Sequence, residues 1–185
     1  MVTQEGNLMP GSMWLMTVNR AFVQKMQLSF DENLAWSEDS DFIYQVFTKA
    51  AIVKNCDYCG YFYFMENEKS ASRKFSIKKL FGRMNVYVKW IQYFGESQRA
   101  KEDFSEGSRQ RFCQQLLKDY CETLNIYTHA VMKKEERIQL LQRLKAEKDI
   151  WKNCTDRRYR DYVKFGVQGG ARLQKLKTQI KQLIR

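Results

Sequence analysis

One proline and one histidine are all that 185 residues contain. The single proline, Pro10, excludes a proline-rich tract, and together with only nine glycines it excludes collagen-like or low-complexity organisation. No stretch approaches the ~18 consecutive apolar residues that a membrane span requires. The opening "MVTQEGNLMPGSMW" also lacks the basic-then-apolar layout of a signal peptide, so a cytoplasmic chain is expected. His129 falls in a helical pattern and reads as structural rather than catalytic. The five cysteines are odd in number and have no framework spacing, which fits reduced thiols better than disulfides. Cys56 and Cys59 form one CxxC, but no second pair or nearby histidine completes a zinc site, and no metal is expected in this chain.

What is present is a globular composition, 44% hydrophobic and 14% aromatic, with a charge that is unevenly placed. Residues 1–72 hold five Lys and Arg against nine Asp and Glu, a net of −4; residues 73–185 hold the other 27 and 12, a net of +15. Two regions with different roles follow, 1–72 and 73–185, and the basic one implies an anionic partner.

The first region reads as mixed α and β. "GSMWLMTVN" is expected to be extended and to lead into a short helix, "RAFVQKM". In "FDENLAWSEDSDFIYQVF" five carboxylates stand among apolar residues. Ser37 is the expected N-cap of a helix over 38–49, whose apolar face is Phe42, Val46 and Phe47, with Ile43 and Ala50 beside them, at spacings of three and four. Glu38, Asp39 and Asp41 fall in its first turn, where the positive end of the helix dipole favours acids, so a purely structural role is one reading of them. "AIVKNCDYCGYFYFME" is rich in β-formers and reads as two strands about a turn.

From Arg73 the pattern is helical. Ile77, Leu80, Phe81, Met84, Val88 and Ile91 recur at three and four; a second helix is expected over 108–131, and a third over 134–151 through Ile138, Leu141 and Leu144. The expected architecture is therefore α+β, an α/β segment followed by an all-helical basic extension.

In the order "GSMWLMTVNRAFV", "LSFDENL", "SEDSDF" and "YFYFMENEKSAS", the first seventy residues resemble the C-terminal half of the catalytic domain in inverting glycosyltransferases of family two. That resemblance implies an incomplete GT-A-like segment. It also implies transfer of a sugar from a nucleotide-sugar to a carbohydrate or glycolipid acceptor in surface polysaccharide synthesis. Asp39 matches the family's base, with Glu38 as the other carboxylate of the pair, and Trp14, Asn19, Arg20, Trp36 and Tyr61 fall on the acceptor-binding side. The family's nucleotide-binding half, with the Asp-x-Asp motif that holds Mg or Mn on the diphosphate, has no counterpart here. The expectation is thus a truncated, acceptor-side segment that is inactive alone and meets Mg or Mn only with that half.

The rival reading is a non-enzymatic basic helical module for nucleic acid or an acidic protein. Interleaved acids, as in "KKEERIQLLQRLKAEKD", and the lack of a nucleic-acid motif weigh against nucleic acid. The last helix, "ARLQKLKTQIKQLIR", gathers Leu173, Leu176, Ile180, Leu183 and Ile184 on one side. Arg172, Lys175, Lys177 and Lys181 are its candidate contacts to an anionic membrane at the inner face of the cell. Docking of its leucines on the preceding helices is the competing expectation, and Gly166, Gly169 and Gly170 are expected to let it lie apart from the body.

Overall fold

Helical periodicity is realised almost wherever the sequence carries it. The computed structural model describes residues 12–34, 36–54, 60, 76–128, 132–150 and 157–183. Among these residues there is no β-strand, so the α+β expectation, with its GT-A-like α/β segment, is corrected to an all-helical fold. "GSMWLMTVN" gives a 3-10 turn at Met13–Leu15 followed by irregular chain. The Leu15 and Met16 amides there donate to the Ser12 and Met13 carbonyls, both at 3.1 Å. Residues 51–54 are irregular and exposed, and the second expected strand lies outside the described residues. Apolar β-formers do not make a strand without a neighbouring ladder for their backbone groups.

The chain divides into two compact units, Met1–Val86 and Tyr87–Arg185. In the first, the Asn19 side chain accepts a hydrogen bond from the Phe22 amide at 3.1 Å and so starts α1 (Arg20–Lys25). Helix α2 (Glu38–Lys49) has the span expected from its periodicity, with Phe42, Ile43 and Val46 on its buried face. Leu28, Phe42 and Val46 form the buried cluster of this unit, rimmed by half-buried side chains such as Met13, Phe22, Met26 and Phe47. Two polar ties fix α2 to the preceding loop: the Lys49 ammonium donates to the Met26 carbonyl at 3.2 Å, and the Gln45 amide to the Ser29 carbonyl at 3.1 Å.

Helix α3 (Ile77–Glu96) carries the chain across the division between the units. Ser97 then caps α4 (Gln98–Asp103), and α5 (Glu106–Thr128), α6 (Lys134–Ala146) and α7 (Arg157–Leu183) follow. The ring of Phe94 stacks on Phe112 at 4.6 Å and meets Phe104 edge-on at 5.6 Å. Tyr120, Leu124, Leu140, Leu144 and Tyr162 are fully buried, and α7 packs against both α5 and α6. The two fully buried tyrosines have their hydroxyls satisfied. Tyr120 donates to Glu147 Oε2 at 2.7 Å, and Tyr162 to Asn125 Oδ1 at 3.3 Å. Arg143 Nε binds the other Glu147 oxygen at 2.7 Å.

Two details of this unit differ from expectation. Helix α6 ends at Ala146 and turns Leu140 and Leu144 inward, leaving Ile138 exposed. Helix α7, in turn, is not straight. A helix rises about 1.5 Å per residue, so positions sixteen apart should be separated by about 24 Å. Yet Lys177 Nζ lies 2.6 Å from Asp161 Oδ2, and a Cβ on Gly170 would fall 2.7 Å from Tyr162 Cδ1 and 3.0 Å from the Asp161 backbone. The helical run bends back between Tyr162 and Gly170, at the glycines where the sequence suggested a detached segment. Gly170 is needed there for close approach, and its segment is held against the proximal part of α7 instead of lying apart.

Candidate functional site

The five carboxylates before and within α2 separate into distinct roles. Asp31 closes a local turn: its Oδ1 accepts from the Asn33 amide at 2.9 Å and from Asn33 Nδ2 at 3.1 Å. Glu32 is exposed. Asp41 is 1% exposed, and its Oδ2 accepts from Gln45 Nε2 at 2.9 Å; the same amide reaches the Ser29 carbonyl. An unpaired buried carboxylate would be strongly disfavoured, so Gln45 both satisfies Asp41 and ties it to the chain before α2. Asp41 is therefore committed to holding α2 in place.

Glu38 and Asp39 differ from it. Both are half-buried in the first turn of α2, and neither side chain has a hydrogen-bond or ion-pair partner among the described residues. Ser37 precedes them with φ 70° and ψ 19°, a left-handed conformation rare for a residue with a side chain, and its hydroxyl makes no capping bond. The expected Ser37 side-chain cap is thereby corrected: the residue occupies the cap position but does not cap. Such backbone strain costs on the order of 1 kcal/mol or more and persists only where surrounding structure enforces it. On either side of it, Phe30 stacks on Phe42 at 4.5 Å and Gln45 links Asp41 to Ser29.

The remaining expected acceptor residues are placed separately. Asn19 spends its side-chain oxygen on the Phe22 amide, while Arg20 opens α1 and is exposed. Trp14 is exposed in the 3-10 turn. The half-buried Trp36 carries the Lys79 ammonium 4.8 Å above its ring, a cation–π contact that the sequence did not signal. Tyr61, Cys56, Cys59 and His129 lie outside the described residues.

Asp39 and Asp41 also spell Asp-x-Asp, the letters of a metal-binding pair. Residues two apart on a helix point about 200° away from each other, and Asp41 is buried on Gln45, so the two cannot share a cation. Among the described residues no cluster of three or more His, Cys, Asp or Glu could hold a metal ion. Nor is any described helix long and apolar enough to cross a membrane.

No family model, curated protein or solved structure matches the chain.

On α7 the candidate membrane contacts have separate fates. Arg172 and Lys175 are exposed, and Lys177 is paired with Asp161. The side chain of Lys181 is outside what the structure describes.

Proposed function

We propose that this chain supplies the acceptor side of a family-two inverting glycosyltransferase that moves a sugar from a nucleotide-sugar onto a carbohydrate or glycolipid hydroxyl. The setting would be surface polysaccharide synthesis at the cytoplasmic face of the membrane. One observation carries the reading beyond the motif series. Of the acids in the first turn of α2, Asp41 is buried for structure, whereas Glu38 and Asp39 stand half-buried and unengaged behind a strained Ser37.

In such a transfer the acceptor hydroxyl attacks the anomeric carbon as the nucleoside diphosphate leaves from the opposite side. Asp39 takes the hydroxyl proton and Glu38 adds negative charge beside it. A positioned carboxylate base contributes typically about 10²–10⁴-fold. Its place in the first turn of α2 fixes the carboxylate on a rigid element. Stabilising the leaving diphosphate is work for a nucleotide-binding half with Mg or Mn, and the residues described here offer no group for that metal.

The test is nucleoside diphosphate release from a panel of nucleotide-sugars with saccharide acceptors, by the chain alone and joined behind the nucleotide-binding half of a family member. Acceptor-dependent release by the joined protein is expected, falling about 10²-fold or more in Asp39→Asn with nucleotide binding unchanged. Near-normal turnover in Asp39→Asn would sink the assignment of the base. No release from any donor, despite bound nucleotide, would count against the reading as a whole.

A further inference from the structure

The fold-back of α7 settles which side of its distal segment faces the protein. Gly170 lies against Tyr162 and Lys177 reaches Asp161, and these two positions, seven apart, share one side of the helix. Leu173, next to that side, is half-buried. Leu176 and Ile180, four apart, with Leu176 the farther from that side, remain 53% and 47% exposed. Leu173 thus follows the expected docking on the preceding helices, with which α7 is in contact, while Leu176 and Ile180 keep about half of their surface open. At about 100° per residue, Arg172 and Lys175 fall along one edge of the Leu176–Ile180 stripe, and both are exposed. Further toward the N-terminus of the same helix, exposed Phe165 has the Lys164 ammonium 5.4 Å over its ring.

Charge decides what can cover that stripe. Residues 162–185 contain six cations (Lys164, Arg172, Lys175, Lys177, Lys181 and Arg185) and no Asp or Glu. A second copy would bring like charge against like charge, which opposes pairing through this face. A nucleic-acid backbone would match the charge but would leave Leu176 and Ile180 against phosphate and water. An anionic bilayer meets both requirements, because its headgroups take the cations while the acyl boundary takes the aliphatic side chains.

We propose that the distal segment of α7 is an interfacial helix that lies on an anionic bilayer, with Leu176 and Ile180 entering the headgroup–acyl boundary and Arg172 and Lys175 contacting the lipid headgroups. Lys177 is held on the protein side by Asp161 and keeps the lipid-facing stripe turned outward. This surface acts independently of the sugar-transfer reading.

The experiment is co-sedimentation of the full chain with vesicles of phosphatidylcholine alone and of phosphatidylcholine mixed with phosphatidylserine, at low and high salt. Three variants accompany it: Arg172→Gln with Lys175→Gln, Leu176→Ser with Ile180→Ser, and Lys101→Gln with Lys118→Gln as a control for exposed lysines elsewhere. All of these side chains are exposed, and unchanged circular dichroism verifies folding. Binding is expected to the mixed vesicles only and to weaken with salt. Each cation near such a surface is worth a factor of roughly five, so the α7 charge variant should bind on the order of 25-fold more weakly. The serine variant should weaken comparably, and the control variant much less. Absence of wild-type binding to mixed vesicles overturns the proposal, as does full binding by the serine variant. Two further results would do the same: self-association that the serine variant abolishes without any vesicle binding, which assigns the face to a second copy, or stronger capture of the chain by duplex DNA than by vesicles, with the serine variant unaffected.

Discussion

Phe42 and Phe94 are the same residue type in two differently built surroundings. Phe42 stacks on Phe30, which is itself exposed, and among the described residues shares its cluster with the buried Leu28 and Val46. Phe94 is fully enclosed and touches Phe112, Phe104, Tyr93 and Trp90. The difference teaches where the molecule is rigid. Around the candidate carboxylates, the Leu28–Phe42–Val46 cluster has a half-buried rim and is secured by polar ties at Gln45 and Lys49. The basic unit rests on enclosed aromatics and satisfied tyrosine hydroxyls.

The strongest way to break that comparison is to truncate both rings. Phe94→Ala should destabilise its unit by about 3–5 kcal/mol, and Phe42→Ala should fall at or below the lower end, because Phe30 can settle into the space. Hydrogen exchange of the α5 and α2 amides in urea reads the two units separately. Equal losses would remove the distinction.

Glycine substitutions sharpen it within the basic half. Gly170→Ala puts a methyl 2.7 Å from Tyr162 Cδ1 and 3.0 Å from the Asp161 backbone, and should cost about 1–3 kcal/mol. Gly95→Ala, in α3, meets nothing within 4 Å and should stabilise by about 0.5–1 kcal/mol through helix propensity. Thermal unfolding of the pair is expected to shift in opposite directions; a shift of the same sign would show that the bend in α7 is not close-packed.

The smallest effect is one of pH. Burial pushes the Cys113 thiol above its ordinary value, while Arg109 opposes the shift more weakly. The thiol also donates to the Ile91 carbonyl at 3.7 Å. Because folding favours the protonated form, its contribution to stability is present below the ordinary thiol pKa and declines as pH rises through the raised one. Labelling of Cys113 by a disulfide reagent should therefore lag behind that of an exposed thiol as pH rises through the ordinary thiol range. Titration at the ordinary value would contradict the burial seen here.

The sequence carried α2 almost residue for residue, because a period near 3.6 and first-turn acids both mark its start and face. It did not carry the fate of Trp14, Leu15, Ile52 or Val53. Their β-forming character is real, but a strand also needs a partner, which lies beyond local propensity. In α6, Ile138–Leu141–Leu144 and Leu140–Leu144 both fit helical spacing, so only packing could decide between them. Glycines marked a break before the last helix, yet nothing local said whether that segment would swing away or fold back; Tyr162 and Asp161 answered that from eight and nine positions away. At the candidate site, the place of Glu38 and Asp39 in the first turn of α2 was legible from helical spacing. The burial of Asp41, the left-handed Ser37 and the Lys79–Trp36 contact depend on tertiary surroundings.

The Tyr162–Asn125 hydrogen bond spans 37 residues, and that spacing has a consequence for synthesis. At ordinary elongation rates roughly 2–7 s separate the appearance of the two partners. During that interval the sides of α5 and α6 that α7 will cover stay open, in a chain already carrying Leu124, Leu140 and Leu144. The nascent basic half thus passes through a state with exposed aliphatic surface each time it is made, and chaperone capture during translation is where this helix order would first be felt.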